Sequence, residues 1–367
     1  MKTRQTEKSQ PLVSITVLAY NSEKSLRDCL DAVFKQTHTH IEVLVIDNAS
    51  TDRSADVVQH YFGTKLRIQR NPKNVGFAPG HNQGIAHAKG TYVLMLNQDL
   101  ILEPRYIEYL VGQLEANPRI GAIMGKLISY NFTKPETQAA RVIDTTGFVI
   151  EPNRRILDRG QGEIDKGQYD HRAQAEIFGV NGGAPIYRIA ALEDVKTPIF
   201  SNHGISPYTK LTTEILDEDF FAYVEDVDMS WRLRLRGWIC VYDYRAEGYH
   251  DRSASGGGNR KTRHDFVRFR RSLSPWRRTI GYRNQHLMFI KLNTFHSWRD
   301  RLSFISRELQ LFLYILVFEQ STLRAWPAII HLYPRMRRKR TYIMRHRKIT
   351  PTALAPWFKK TPMQHYD

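Results

Sequence analysis

Short apolar runs that alternate with amphipathic stretches constrain how the N-terminal part of this chain can fold. The runs are rich in β-branched residues and span residues 12–18, 41–46 and 91–96. Between the first two runs, apolar residues recur at helical spacing: Leu26, Leu30, Val33 and Phe34. Near-continuous apolar strands alternating with helices are typical of a parallel sheet covered on both faces, so the sequence predicts an α/β fold.

Polar residues directly follow three of these predicted strands. They are Tyr20-Asn21, Asp47-Asn48 and Asn97-Gln98-Asp99. In an open sheet of this kind, ligands bind beyond the carboxyl ends of the strands, so we expect these side chains to share one site. The sequence has no GxGxxG after the first strand and no GxxxxGK[ST] anywhere. The usual dinucleotide and P-loop signatures are therefore missing.

The composition indicates an ordered protein with a large core. The chain has 367 residues, of which 41% are hydrophobic, including 17 Phe, 18 Tyr and 6 Trp. Its two cysteines, Cys29 and Cys240, are too few for a disulfide framework and lack metal-ligand spacing, which favours a reducing compartment. The polar N-terminus, MKTRQTEKSQ, is followed by no apolar segment typical of a secretory signal. We therefore expect a cytosolic protein.

The net charge of +17 is concentrated in one part of the chain. Residues 260–348 contain 22 Lys or Arg against 4 Asp or Glu, which leaves the remainder near neutral. Such a basic block can bind nucleic acid, anionic lipid or another anionic ligand, or it can form a solvated helical face. Charge alone does not choose among these alternatives.

From about residue 280 onward the pattern predicts helices. Apolar residues recur there at steps of three and four: Leu302, Ile305, Leu309, Phe312, Leu313 and Leu316. Residues 311–318 are apolar all round but are far fewer than the roughly 20 that a membrane-spanning helix needs. We therefore predict no transmembrane helix, and a basic, aromatic-rich region that either lies on an anionic membrane surface or packs on the preceding domain.

Six motifs occur in an order that resembles the family 2 glycosyltransferases with a GT-A fold. They are VSITVLAYN (13–21), VLVIDNASTD (43–52), NVGFAPGHNQGI (74–85), LNQDL (96–100), FFAYVEDVDMSWRLRLRGW (220–238) and the later His250. The resemblance covers about residues 12–250. The Asp47-Asn48 pair, the box after Asn74 and the Asn97-x-Asp99 motif are most similar to bacterial rhamnosyltransferases of surface-polysaccharide synthesis.

The resemblance also implies a domain organisation. A polar N-terminal extension (1–11) precedes a GT-A domain (12–265), and a basic, aromatic-rich helical C-terminal region (266–367) follows it. Within the GT-A domain, we expect residues 12–100 to form the nucleotide-sugar-binding half and residues 101–265 the acceptor-binding half.

Members of this family transfer a sugar from a nucleotide diphosphate to an acceptor hydroxyl with inversion. The leaving diphosphate gathers negative charge, which a divalent metal, Mg²⁺ or Mn²⁺, usually neutralises. By resemblance, Asp99 is a direct metal ligand and His250 is the candidate second ligand, while Asn97 contacts ribose or a metal-bound water. The alternatives are that Asp99 caps a turn and that His250 is an ordinary hydrogen-bonded histidine.

The transfer also requires a base on the acceptor side. Glu225-Asp226 matches the acidic pair of the family, and Asp226 is the residue that the resemblance assigns as general base. Glu225 is expected to bind or orient the acceptor. Adjacent carboxylates disfavour double ionisation, so each is expected to raise the pKa of the other. Alternatively, Glu225, Asp226 and Asp228 form an acidic helix cap, a role compatible with catalysis.

The resemblance places the nucleotide sugar at the strand ends and in the box at 74–82. The residues concerned are Ala19, Tyr20, Asn21, Asp47, Asn48, Asn74, Gly76, Asn82 and Asn97. Gly76 and Gly80 are expected to allow positive φ or close backbone approach. The acceptor or transferred sugar is assigned to Gly182, Gly183, Glu225, Trp231 and Arg232. Two alternatives are a core position for Trp231 and a solvated helix face for Arg232.

The Gly256–Gly258 run is a candidate hinge for a loop closing over the donor, with Arg252, Arg260 or Lys261 available to the diphosphate. The expected donor is dTDP- or UDP-linked. The expected acceptor is a glycan or lipid-linked molecule at the inner face of a bacterial membrane.

Two other functions compete with this one. A catalytically silent relative would bind the sugar nucleotide and act as a scaffold. A basic nucleic-acid-binding protein would leave Asp99, the Glu225-Asp226 pair and His250 without a role, so no nucleic acid partner is expected.

Overall fold

The computed structural model describes residues 10–132, 140–171, 174–201, 203–251 and 263–358. Its strands are β1 (Val13–Ala19), β2 (Ile41–Asp47), β3 (Arg67–Arg70), β4 (Tyr92–Asn97), β5 (Leu100–Leu102), β6 (Ile120–Tyr130), β7 (Val142–Thr145), β8 (Phe148–Ile150), β9 (Ile156–Asp158), β10 (Ala175–Ile177), β11 (Ile186–Arg188), β12 (Thr197–Pro198), β13 (Thr213–Glu214) and β14 (Ile239–Asp251). Its α-helices are α1 (Leu26–Phe34), α2 (Ser54–Tyr61), α3 (Phe77–Ala86), α4 (Tyr106–Ala116), α5 (Ile189–Asp194), α6 (Glu225–Leu235), α7 (Arg263–Ser272), α8 (Pro275–Leu292), α9 (Trp298–Phe318) and α10 (Ala325–His346).

One large mixed sheet organises the N-terminal two thirds of the chain. Its strands run in the order β10-β14-β6-β11-β4-β1-β2-β3, with β5 added to β14 and β7 added to β6. β1 is parallel to β2 and to β4, and β2 is parallel to β3. β11 is antiparallel to both its neighbours, β4 and β6. The predicted α/β fold is confirmed, and the three predicted apolar runs correspond to β1, β2 and β4.

The core lies on both faces of this sheet. Five consecutive residues of β1, from Val13 to Val17, are buried, which requires packing against each face of the strand. α3 approaches β1 closely at Gly80, where an added Cβ would lie 2.4 Å from Leu18 Cδ1. The glycine therefore sets the distance between helix and sheet, as expected for close backbone approach.

The C-terminal helices pack on this domain. A second core cluster joins α6 and β8 to α8, α10 and the 3₁₀ helix Pro351–Phe358. Buried ion pairs cross the same boundary: Lys291 of α8 lies 2.7 Å from Asp228 of α6 and also pairs with Asp217. The alternative in which the basic region packs on the preceding domain is therefore correct for α8 and α10.

Within the described ranges, none of the helices combines the length and apolarity that crossing a bilayer would require.

Candidate active site

A cleft of about 540 Å³ opens at the carboxyl edge of the sheet. It brings together seven of the residues predicted from the sequence: Asn97, Asp99, Gly182, Gly183, Glu225, Asp226 and His250. They come from the ends of β4 and β14, the turn before β11, and the first turn of α6. Residues separated by more than a hundred positions thus line a single cavity.

Strand pairing brings Asp99 and His250 together. The chain turns after β4 and forms β5, in which Leu100 pairs with His250 of β14. The backbone N–H of Asp251 then donates to the carbonyl of Asp99 (3.0 Å), and His250 Nε2 lies 3.4 Å from Asp99 Oδ1. The other ring nitrogen, Nδ1, lies 2.8 Å from Asp144 Oδ2. The imidazole is therefore held between two carboxylates.

The two carboxylates determine the charge of His250. Burial lowers its pKa, but Asp144 and Asp99 outweigh that effect and raise it to about 9. A hydrogen bond from Nδ1 to a carboxylate is also the usual arrangement for a metal-binding histidine, because it fixes the orientation of the ring. Without a metal, the raised pKa keeps a proton on Nε2 beside Asp99, so a cation that binds this nitrogen would displace that proton.

The Asp99 and His250 pair fits a divalent cation that takes its other ligands from phosphate and water. It offers one carboxylate oxygen and one imidazole nitrogen, a set that Mn²⁺ accepts and that Mg²⁺ meets through the carboxylate. The described part of the chain contains no group of three or more His, Cys, Asp or Glu that could hold a metal by itself. Binding at this position therefore depends on ligands that the donor supplies.

Asp226 stands at the start of α6 and accepts two backbone hydrogen bonds. Its Oδ2 accepts from Gly182 N (2.9 Å) and its Oδ1 from Val227 N (2.8 Å). Burial raises the pKa of Asp226, Asp158 raises it further, and the two N–H groups oppose them, which leaves a pKa of about 6. This carboxylate is ionised at neutral pH and is close enough to its pKa to accept a proton.

The environment of the neighbouring Glu225 disfavours its charged form. Burial raises its pKa well above the ordinary value, and the Asp226 charge adds to the shift. Its buried Oε2 has no hydrogen-bond partner among the described residues. For Glu225 the shift has the direction predicted for adjacent carboxylates, with burial as the larger cause, whereas the raised pKa of Asp226 comes from burial and Asp158.

Gly182 lets the Asp226 carboxylate come close to the backbone of residue 182. An added Cβ at Gly182 would lie 3.2 Å from Asp226 Oδ2, which would crowd the hydrogen bond that this oxygen accepts. Asn181 fixes the same turn, because its Nδ2 donates to Asp158 Oδ1 (2.9 Å) and its Oδ1 accepts from Gly183 N (2.9 Å).

Several residues assigned to the nucleotide lie at the carboxyl ends of β1 and β2. Tyr20 is 43% exposed, and its backbone exchanges two hydrogen bonds with the Gln98 side chain, which ties the end of β1 to that of β4. Asn21 Oδ1 accepts from Thr51 N (2.8 Å), and Asp47 Oδ1 accepts from Ser50 N (3.0 Å). Ala19 is the last residue of β1 and is buried.

The side-chain amides of Asn48 and Asn82, two residues assigned to the donor site, hydrogen-bond to other segments of the chain. Asn48 is buried, donates to Asn74 Oδ1 (2.9 Å) and accepts from Val75 N (3.0 Å). Asn82 donates to the Leu216 carbonyl (2.8 Å) and accepts from Leu216 N (2.9 Å). These amides are used within the protein, where they hold loops together. Gly76, as predicted, has a positive φ of 98°.

The prediction that Trp231 and Arg232 contact the acceptor is wrong, as is the solvated-face alternative for Arg232. Trp231 is fully buried and packs edge-on against Phe178. Arg232 is buried; its Nε donates to Asp228 (2.8 Å), and its guanidinium also donates to the carbonyls of Val195 and Ile215. Both side chains point into the packed interior of the domain. The Asp228 and Arg232 spacing of four residues on a helix was the sequence signal for this pair.

Several residues in or next to the cleft were not anticipated from the sequence: Asp158 lines it, and Asp144 bonds to His250. Asp144 and Asp158 come from short strands in a stretch without regular periodicity. The C-terminal region supplies a whole wall of the cleft: Phe269, Arg270, Leu273, Arg277, Arg278, Gly281, Tyr282 and Gln285. The proposed hinge Gly256–Gly258 and the basic residues Arg252, Arg260 and Lys261 lie outside the described residues.

Comparisons with known proteins show similarity to glycosyltransferases. Residues 14–194 match the family model described as Glycosyl transferase family 2. Glycosyltransferase GlyG of Streptococcus pneumoniae serotype 4 is 30% identical over 156 residues, which cover 41% of this chain and 51% of GlyG. Chondroitin synthase of Pasteurella multocida is 30% identical over 160 residues, which cover 41% of this chain and 16% of the synthase. The chain thus spans about half or less of these relatives.

A solved structure shares the fold. The crystal structure of GalNAc-T7 with UDP, GalNAc and Mn²⁺ superimposes with a TM-score of 0.51 at 12% sequence identity, covering 67% of this chain and 44% of that one. At this identity, the similarity concerns the fold alone.

Proposed function

We propose, from the premise that residues 14–194 belong to glycosyltransferase family 2, that the protein is an inverting glycosyltransferase. It moves a sugar from a nucleotide diphosphate to a hydroxyl of a glycan or lipid-linked acceptor. The observation that carries the proposal is the single cleft in which the ionised Asp226 and the Asp99 and His250 pair line the same space. An inverting displacement needs these two functions, a base and a site for the leaving diphosphate.

Asp226 takes the proton of the acceptor hydroxyl as its oxygen attacks the anomeric carbon and the bond to the diphosphate breaks. The N–H groups of Gly182 and Val227 fix both carboxylate oxygens, so the base is oriented before the acceptor binds. Burial raises the pKa of Glu225, which favours the protonated form, and in that form its carboxyl group would donate a hydrogen bond to an acceptor oxygen.

Asp99 and His250 would hold Mg²⁺ or Mn²⁺, which neutralises the charge on the leaving diphosphate when bound. Asp144 orients His250 through Nδ1 and is a positioning residue rather than a ligand. Arg277 of α8 lines the same cleft and adds to its positive charge. The presence of UDP and Mn²⁺ in the related GalNAc-T7 structure supports this assignment.

The finer identity of the substrates follows from the motifs and relatives. We propose a dTDP- or UDP-linked donor, with rhamnose as the first candidate because of the Asp47-Asn48 and Asn97-x-Asp99 forms. The name of the matched chondroitin synthase supports a role in polysaccharide synthesis. A panel of dTDP-rhamnose, UDP-glucose, UDP-galactose and UDP-N-acetylglucosamine, scored by the rise in Tm, identifies the donor, because a ligand stabilises the folded state that it binds.

Donor turnover with Mn²⁺ or Mg²⁺ tests the mechanism. Asp226→Asn should bind the donor as the wild type does but lose about 10²–10⁴-fold in transfer rate, the usual contribution of a general base. Asp99→Ala should lose the metal-dependent part of donor binding. Asp31→Asn, an exposed substitution on α1, is the control and should change neither.

A fully active Asp226→Asn would exclude Asp226 as the base. A wild type that binds the donor in the presence of metal but never releases nucleotide diphosphate would support the scaffold alternative.

A further inference from the structure

Helix α9 is apolar on two opposite faces. Its inner face packs against α8 and the start of α10, where Leu311 and Ile315 form a buried cluster with Tyr282. Its outer face carries a second set of large apolar side chains, each between 45% and 68% exposed: Trp298, Leu302, Ile305, Leu309, Leu313 and Leu316. We call this second set the outer stripe.

The outer stripe is continuous. Its members follow one another at steps of three or four residues, and at 100° per residue they fall within about 80° of the helix circumference. From Trp298 to Leu316 the stripe runs roughly 27 Å along the helix at 1.5 Å per residue. The exposed Val317 and Phe318 extend the apolar surface at the end of α9.

Single exposed apolar residues are normal on protein surfaces, but the outer stripe is a continuous row of six. A contiguous apolar patch on a folded chain marks a surface that another phase or molecule covers. None of the described residues buries the outer stripe. The question is therefore which occupant matches its surroundings.

The positive charge around the outer stripe favours an anionic occupant. Arg299 and Arg301, both exposed, lie beside the first turns of the stripe. The C-terminal block that contains α9 carries 22 Lys or Arg against 4 Asp or Glu. Pairing with a second copy would bring two such blocks together and oppose association, whereas an anionic lipid surface attracts the same charge.

We propose that α9 docks on an anionic membrane, parallel to its surface, with the outer stripe in the boundary between headgroups and acyl chains. The helix fits this role because it combines an apolar face with flanking arginines, and because Trp298 at its first position suits the interface. Since α9 does not have to cross the bilayer, the proposal agrees with the finding that none of the described helices could do so.

Docking through α9 would also place the cleft near the lipid. Tyr282 packs with Leu311 and Ile315 on one side and lines the cleft on the other. An acceptor carried by a lipid would therefore reach the cleft along the wall that α8 forms. This consequence rests on the proposed function, but the docking itself does not.

Flotation of the full chain with lipid vesicles tests the proposal. The wild type should float with vesicles containing phosphatidylglycerol and bind much less to vesicles of phosphatidylcholine alone. The double variant Leu309→Ser/Leu313→Ser should bind the anionic vesicles at least about tenfold more weakly, because it removes two apolar side chains from the stripe. The control Ile164→Ser/Leu211→Ser changes two residues of similar exposure elsewhere and should bind as the wild type does.

Three further measurements separate docking from other effects of the substitutions. All three proteins should unfold at similar temperatures, because the changed residues are exposed, and should release nucleotide diphosphate from the donor at equal rates without lipid. That second readout separates a failure of docking from a failure of the proposed function. Sedimentation equilibrium without lipid should show the same molecular mass for all three.

Two results would overturn the proposal. One is vesicle binding by Leu309→Ser/Leu313→Ser that equals the control. The other is a wild-type dimer that the double variant disrupts while vesicle binding stays unchanged, which would make a second copy the occupant of the stripe.

Discussion

At the scale of single residues, the environment of Asp226 sets the conditions under which it can act. Its side chain is partly buried in the cleft, which raises the pKa, and the negative charge of Asp158 raises it further, whereas the N–H groups of Gly182 and Val227 stabilise the charged form. The resulting pKa of about 6 lies well above that of an ordinary Asp. A base with this pKa remains ionised at neutral pH but binds a proton more readily than an exposed carboxylate would.

This pKa predicts a pH dependence. The base acts in its deprotonated form, so kcat/KM should be constant above neutrality and fall as the pH decreases through about 6. Asp158→Asn should move this acidic limb to lower pH, because it removes a negative charge that raises the pKa of Asp226. The asparagine can still accept the hydrogen bond from Asn181. An acidic limb that stays at the same pH in the variant would contradict this account.

At the scale of elements, the box at 74–82 is hydrogen-bonded to the segment that leads into α6, the helix that carries the proposed base. Asn82 is bonded to Leu216, and Ala78 N at the start of α3 donates to the Phe221 carbonyl (3.1 Å). Phe221 precedes α6, the helix that begins with Glu225 and Asp226. α3 and the segment that leads into α6 are therefore joined by hydrogen bonds.

Gly76 is the residue on which this junction depends most. It has a φ of 98°, and an added Cβ would lie 2.6 Å from the Phe221 carbonyl oxygen. Gly76→Ala should therefore lower the free energy of unfolding by about 2 kcal/mol more than Gly63→Ala, as measured by urea denaturation. Gly63 is a matched control because it also has a positive φ, of 49°, but an added Cβ there meets nothing within 4 Å. Equal losses in the two variants would show that the contact with Phe221 costs nothing.

The same elements show which parts of the fold and the site could be predicted from the sequence. β1, β2 and β4 were predictable because buried parallel strands are apolar throughout, and the motifs at their ends led to Asp99 and, by resemblance, to Asp226 and His250. The partners of Asn48 and Asn82 were not predictable, because an amide can bond to a donor or to a distant backbone group with equal ease. Asp144 and Asp158 were missed because strands of three or four residues leave no periodic signal.

At the scale of the whole molecule, the C-terminal region forms part of the site. α7 and α8 line the cleft together with residues of the preceding domain, although the match to the family model ends at residue 194. Nothing in the local sequence of α8 could reveal this, because the docking of a helix depends on surfaces distant in the chain. A protein shortened to the matched segment would lack both Asp226 and this wall of the cleft.

Buried ion pairs join the C-terminal helices to the preceding domain, and substituting them measures how much the domain depends on these helices. Lys291 of α8 is buried with Asp217 and Asp228, which belong to the preceding domain. Lys291→Met should lower the free energy of unfolding by about 3–5 kcal/mol in urea denaturation, because it leaves two carboxylates buried without this cation. Lys348→Met is the control: Lys348 also pairs with an aspartate of the domain, Asp194, but it is 59% exposed, and its loss should cost less than about 1 kcal/mol.

The same variant tests whether folding and the cleft are coupled. Because α8 both carries Lys291 and lines the cleft with Arg277 and Tyr282, loosening it should weaken donor binding as well as stability. Titration of Lys291→Met with the nucleotide sugar, at a temperature where the variant is still folded, should show a raised Kd, and Lys348→Met should bind as the wild type does. A Lys291→Met protein with normal stability and normal donor binding would mean that the C-terminal helices are an independent attachment, and the cleft would then have to be complete without them.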